Sequence, residues 1–146
     1  MEERCPDALR LDNQLCFPLY ACSREVIRRY KPVLDEIDLT YTQYIAMLVL
    51  WERRSVTAKE LGCRLYLDSG TLTPLLKKLE AKGLLTRRRS AQDERSLIVA
   101  ITPEGEALRE RAAHIPAEMG RCMPLEPSEA ETLLRLLRKI MDSAGG

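Results

Sequence analysis

The stretch "TAKELGCRLYLDSGTLTPLLKKLEAKGLLTRRRSAQDERSLIVAITPEG", residues 57–105, decides the fold because its period changes partway along. Thr57 followed three residues later by Glu60 is a capping box that opens a short helix. Asp68 caps a second helix whose apolar face is Leu72, Leu75, Leu76 and Leu79, and Gly83 stops it. The spacing then becomes two. Leu97, Val99 and Ile101 alternate, and "SAQDER" is a polar turn between two short strands. Thr102, with Pro103 behind it, caps the next helix. Helix, turn, helix and β-hairpin in that order make a winged helix-turn-helix.

Upstream, "TYTQYIAMLVLWE" repeats the capping box with Thr40 and Gln43 and is then almost wholly apolar, which predicts a helix buried on most sides. Before it, in "LDNQLCFPLYACSREVIRRY" (residues 11–30), Leu11, Leu15, Leu19, Cys22 and Val26 form a helical stripe that Pro18 is expected to kink. Downstream, Ser128 and Glu131 form a capping box ahead of "TLLRLLRKIM", and the closing "SAGG" is expected to fray. The fold class is mainly α. A winged helix-turn-helix spans residues 41–103, and the flanking helices, residues 1–40 and 104–146, are expected to form a dimerisation region.

The 146-residue chain is 45% hydrophobic and 31% charged, the balance of a globular protein with a sizeable core. No apolar run approaches the roughly 18 residues of a membrane span. "MEERCPDALR" lacks the apolar core of a signal peptide, so a cytoplasmic protein without membrane contact is expected. The cysteines at 5, 16, 22, 63 and 122 form no CxxC pair and have only His114 to join them. That pattern excludes a zinc site and leaves reduced thiols as the expectation. No cofactor is implied, and His114 has no nucleophile nearby in sequence that would make it a catalytic base.

The net charge of +1 is unevenly spread. Residues 51–100 carry eleven Lys/Arg against six Asp/Glu, a net +5, whereas each flank is −2. Such an island suits a polyanion, and in this shape the polyanion expected is double-stranded DNA. The second helix of the motif would enter the major groove with Ser69, Thr71 and Thr73 at the bases and Lys77 and Lys78 at phosphates. Arg87, Arg88 and Arg89 on one wing strand, and Arg95 leaving the turn, bring charge to the narrow minor groove. Asp93, two residues before Arg95, is expected to hold that guanidinium in a bidentate pair.

The stretch from Lys59 to Gly105 resembles the DNA-binding core of the multiple-antibiotic-resistance-regulator (MarR) family, dimeric winged-helix transcription factors. "QDER" at the wing tip carries that family's Asp-x-Arg motif. Residues 11–54, with Leu15-Cys16-Phe17 and the tyrosines of "RRYKP" and "LTYTQ", are similar to its organic-hydroperoxide-resistance subgroup, the thiol-based peroxide sensors. The resemblance covers roughly residues 9–142. It implies that Cys16 is the sensing thiol and that Tyr30 and Tyr41 hydrogen-bond its sulfur from the partner subunit. It also implies a homodimeric repressor that leaves its operator when an organic hydroperoxide, the inducer, oxidises Cys16 to sulfenic acid. The gene controlled in the subgroup encodes a thiol peroxidase. Cys122 sits where some members carry a resolving cysteine that forms an intersubunit disulfide. Others form mixed disulfides with low-molecular-weight thiols, and both routes stay open.

The residue chemistry agrees with this reading. Peroxide attack needs a thiolate, and an ordinary cysteine, with a pKa of about 8.5, is mostly protonated at neutral pH. Phenol hydroxyls donating to sulfur stabilise the anion, and aromatic surroundings, Phe17 included, favour organic over hydrogen peroxide. Tyr20, four residues after Cys16, shares its helix face. Cys22 faces away from Cys16, Cys63 is expected in the core, and Cys5 in a mobile arm. Two alternatives stand beside the sensor. The same fold could answer to a small aromatic ligand, with Cys16 as packing and the tyrosines lining its site. A thiol peroxidase would use the cysteine but leave the DNA-binding shape unexplained, so no enzyme is expected.

Overall fold

Two short 3-10 turns, Asp7–Leu9 and Leu11–Asn13, lead into helix α1 (Cys16–Asp35) in the computed structural model, which describes residues 5–144. The arm after Cys5 is built rather than loose: Asn13 Nδ2 donates to the Asp7 carbonyl at 2.8 Å and Gln14 Nε2 to that of Ala8 at 2.9 Å. Pro18 does not kink α1. It is the third residue of the helix, in the first turn, where its missing N–H has no intrahelical bond to lose. The interior proline is Pro32, near the far end.

The next four helices start where a side chain satisfies the orphan N–H groups of a first turn. Thr40 Oγ1 accepts from Gln43 N–H at the start of α2 (Tyr41–Arg53), and Gln43 Oε1 in turn accepts from Thr40 N–H at 3.1 Å. A three-residue strand, β1 (Ser55–Thr57), follows, too short to show a period in the sequence. Thr57 and Glu60 complete the capping box of α3 (Ala58–Leu65), and Asp68 Oδ1 accepts from Thr71 N–H at 2.8 Å to cap α4 (Ser69–Ala81). Gly83, at φ 78°, takes the left-handed backbone that ends α4. The hairpin is β2 (Leu85–Arg89) and β3 (Leu97–Ile101), and β1 adds to it antiparallel, giving the order β1-β3-β2. Thr102 Oγ1 accepts from Gly105 N–H to cap α5 (Pro103–Ala112).

Among the described residues, 5–113 form one compact unit and 114–144 a second. In the first, Ala46, Met47 and Leu50 of α2 are fully buried, as are Leu61 of α3, Leu79 of α4 and Val99 of β3. Each such leucine contributes about 1.5–3 kcal/mol by leaving water. Cys63 is not in this core: it is exposed, because Leu61 and Gly62 take the buried face of the eight-residue α3 and Cys63 lies about 200° from Leu61 around the helix.

The second unit holds α6 (Ile115–Arg121) and α7 (Pro127–Ala144). Helix α7 starts one residue before the expected cap. Pro127 takes the first position, which its fixed φ and missing N–H suit, and Glu129 Oε1 accepts from Glu126 N–H at 2.9 Å. Ser128 is therefore inside the first turn. Of "SAGG", Ser143 and Ala144 are helical; the fraying expected of Gly145 and Gly146 lies outside the described residues. No residue of α7 is buried, and Leu133, Leu134, Leu136, Ile140 and Met141 are all exposed.

Candidate functional site

Two groups of residues stand out in the first unit. The first is the thiol helix and its tyrosines. Cys16 is the opening residue of α1 and is exposed, beside exposed Phe17. Tyr20, one turn on, is more than half exposed and lies under the Arg24 guanidinium, 5.6 Å from its ring centre. Fourteen residues beyond Cys16 on the same helix, Tyr30 packs against Tyr41, the first residue of α2, with ring centres 5.0 Å apart. An uninterrupted helix rises about 1.5 Å per residue, so Cys16 and Tyr30 of one chain stand about 21 Å apart along the axis. Their own chain does not bring them together.

The cluster is larger than the sequence suggested. Tyr44 lies 5.8 Å from Tyr30 and 6.4 Å from Tyr41, and it continues to Trp51 at 6.3 Å. The indole N–H of Trp51 in turn donates to the Gly105 carbonyl at 2.8 Å. The signal that could have found Tyr44 is its spacing of three from Tyr41, with Trp51 seven further, on one helix face. Burial raises the Tyr30 phenol, with Tyr41 adding to it, and burial alone raises Tyr41. Tyr44 is pushed up to about 12 by burial, then by Tyr30 and Tyr41. All three therefore stay protonated at neutral pH and can donate, yet none of their hydroxyls hydrogen-bonds another group among the described residues.

The second group is α4 and the wing. Ser69, Thr71, Thr73, Lys77 and Lys78 are all exposed on α4. The hydrogen bonds from Thr71 hold the Asp68 carboxyl below its usual value, so the cap is anionic. Arg88 and Arg89 are exposed on β2, but Arg87 turns back. Register explains it. Arg87 shares the sheet face of buried Leu85, and its Nη2 donates to Glu80 Oε1 at 3.0 Å while its backbone N–H donates to Glu80 Oε2. That fork lowers the Glu80 carboxyl and ties the wing to α4. Asp93 does not grip the Arg95 guanidinium either. Its Oδ1 accepts from the Arg95 backbone N–H at 3.0 Å, and its carbonyl from Ser96 N–H at 2.9 Å. Asp93 shapes the turn and leaves the exposed Arg95 head outside it.

The remaining cysteines are all exposed. Cys122 is the C-cap residue of α6 in the second unit, its N–H bonded to the Met119 carbonyl at 3.1 Å, and it is exposed. Cys22 is exposed on α1. Among the described residues no three His, Cys, Asp or Glu side chains are grouped to hold a metal, and no helix is long and apolar enough to cross a membrane.

Comparison with known proteins gives this arrangement a family. The sequence profile of the SarA/Rot transcriptional regulators matches residues 28–112. The organic hydroperoxide resistance transcriptional regulator of Bacillus subtilis is 50% identical over 130 residues, covering 89% of this chain and 86% of that one. Among solved structures, reduced AbfR bound to DNA, from Staphylococcus epidermidis, superposes with a TM-score of 0.79 at 34% identity, with 93% of each chain covered. The disulfide-formed state of AbfR gives 0.60 at 35% identity, over 93% of this chain and 90% of that one. The chain belongs to the MarR/SarA-type family of winged-helix transcriptional regulators.

Proposed function

We propose that this regulator is a homodimeric repressor that holds operator DNA when reduced and releases it when an organic hydroperoxide oxidises Cys16. The observation that carries the reading is the geometry of thiol and phenols. Among the described residues the Tyr30 and Tyr41 hydroxyls donate to no other group, and an exposed thiol sits about 21 Å away along the same helix. A second copy packed on the exposed Leu9, Leu11 and Leu15 beside α1 would set the Cys16 of one chain before the tyrosines of the other. Chemical precedent supports the switch: the relatives include a hydroperoxide-resistance regulator and a regulator solved in reduced and disulfide forms.

In the first step the Cys16 thiolate attacks the terminal oxygen of the hydroperoxide. A sulfur–oxygen bond forms, the O–O bond breaks, and the alkoxide leaves as an alcohol after taking a proton. Sulfur loses two electrons, the peroxide gains them, and Cys16 becomes a sulfenic acid. Phenol donors at the sulfur favour the thiolate without adding charge. The sulfenic acid then condenses with a thiol, Cys122 of the partner chain or a low-molecular-weight thiol, releasing water. In the reduced dimer two α4 helices lie one DNA turn apart. Ser69, Thr71 and Thr73 face base edges, Lys77 and Lys78 meet phosphates, and Arg88, Arg89 and Arg95 reach the backbone and minor groove from the wing.

The test is fluorescence anisotropy on a duplex recovered by in vitro selection from a random library, with cumene hydroperoxide and then dithiothreitol added. Release by one equivalent, reversed by the reductant, is the expected result. Binding indifferent to peroxide would overturn the redox reading, and catalytic consumption of many equivalents without DNA binding would overturn the repressor.

A further inference from the structure

We propose that Lys82 is the joint that carries a rearrangement of Tyr30 and Tyr41 to α4 and the wing, a role that rests on the redox switch proposed above. Gln43 is the one buried polar side chain among the described residues, 4% exposed. A buried amide has to be bonded, and its Oε1 takes donors from two different elements: Thr40 N–H at 3.1 Å and Lys82 Nζ at 3.1 Å. Lys82 is the C-cap residue of α4. Its ammonium also donates to the Asp38 carbonyl and stands 3.5 Å from the Asp38 carboxylate. Asp38 holds left-handed backbone, φ 54°, in the turn between α1 and α2. One ammonium thus fastens the end of α4 to that turn and to the first turn of α2, where Tyr41 follows Thr40 directly and packs on Tyr30.

On its other side Lys82 belongs to a body held together by several hydrogen bonds. Leu84 N–H donates to the Leu79 carbonyl and Thr102 N–H to that of Leu84, both at 3.1 Å. Thr102 Oγ1 donates to the Gly83 carbonyl at 2.6 Å, and the Glu80–Arg87 fork closes α4 onto β2. A shift of the first turn of α2 therefore pulls the whole body through Lys82 or breaks its bonds. Stability does not account for the ion pair, because the Asp38 side chain is 93% exposed and such pairs contribute little. What the ammonium adds is direction: its donors fix where α4 ends relative to the tyrosines.

The experiment compares wild type, Lys82→Met and Lys82→Arg as full chains on the selected duplex, before and after one equivalent of cumene hydroperoxide. Mass spectrometry of a dimedone adduct confirms that Cys16 has reacted, and a thermal melt confirms folding. Lys82→Met is expected to bind in the reduced state within about threefold of wild type, because Gln43 Oε1 keeps its bond from Thr40 N–H and the Glu80–Arg87 fork and the buried α4 leucines still seat the helix. Its ratio of oxidised to reduced Kd should shrink by about tenfold, within the usual range of site-to-site coupling. Lys82→Arg should keep the wild-type ratio. A Lys82→Met protein that is oxidised and released like wild type overturns the joint, as does one whose reduced affinity falls with the ratio unchanged. Failure of wild type itself to respond to peroxide would instead strike the redox switch.

Discussion

Replacing Gly105 with alanine puts a methyl group where the wing meets α5. A Cβ built there lies 2.3 Å from the Leu84 carbonyl oxygen and 2.7 Å from Ile101 Cγ1, against an ordinary contact of 3.4 Å or more. The oxygen cannot swing aside cheaply, because it accepts from Thr102 N–H at 3.1 Å. Relief needs a backbone shift of about 1 Å, and overpacking of this kind costs about 1–3 kcal/mol. Since a backbone atom is the obstacle, the upper end, about 3 kcal/mol, is expected, a fall in Tm of roughly 6–12 °C for a chain of this length. The same shift moves the Gly105 carbonyl from the Trp51 indole, now 2.8 Å away. Trp51 is the sole tryptophan, so its emission reports the change during urea unfolding followed in parallel by circular dichroism. Gly120→Ala is the control: its Cβ meets nothing within 4 Å in α6, and alanine there should stabilise by about 0.5–1 kcal/mol. A Gly105→Ala protein that melts within a degree of wild type would refute the packing argument.

Three further outcomes are expected. Tyr41→Phe keeps the ring stack on Tyr30, so Tm should not change, but the loss of one donor to a thiolate should slow Cys16 oxidation by about 10-fold or more, read by stopped-flow trapping. Arg95→Ala should weaken DNA binding by the same factor in reduced and oxidised protein and lower the salt slope by about one, measured by anisotropy across salt concentrations. Glu80 has a lowered folded pKa through Arg87, so its contribution to stability is whole above the usual 4.5 and fades as pH falls through the lowered value. Melts of wild type and Glu80→Gln should accordingly differ near neutrality and converge in acid.

Local chemistry was the legible part of the sequence. Thr40, Thr57, Asp68 and Thr102 start helices because a cap is satisfied within four residues, and spacing alone reveals it. What spacing does not reveal is decided by how the neighbouring elements are placed, near or far in sequence. Pro18 reads as a kink if the helix begins at Leu11, but the two 3-10 turns move its start to Cys16, where proline is harmless. Arg87 looks like its neighbours until pairing with Val99 fixes which face it shares and Glu80 comes within reach. Cys63 depended on which side of a short helix the core chose. Of the candidate site, Cys16, Tyr30 and Tyr41 follow from a motif and Tyr44 carries a signal in its spacing from Tyr41, whereas Lys82 emerges only when α4 packs against α2.

The central claim is that oxidation of one thiol, Cys16, releases DNA. Its most direct test is anisotropy with Cys16→Ser and wild type on the same duplex, before and after one equivalent of cumene hydroperoxide. Equal affinity when reduced, release by wild type alone, and recovery with dithiothreitol are expected. Release of the Cys16→Ser protein by peroxide would contradict it.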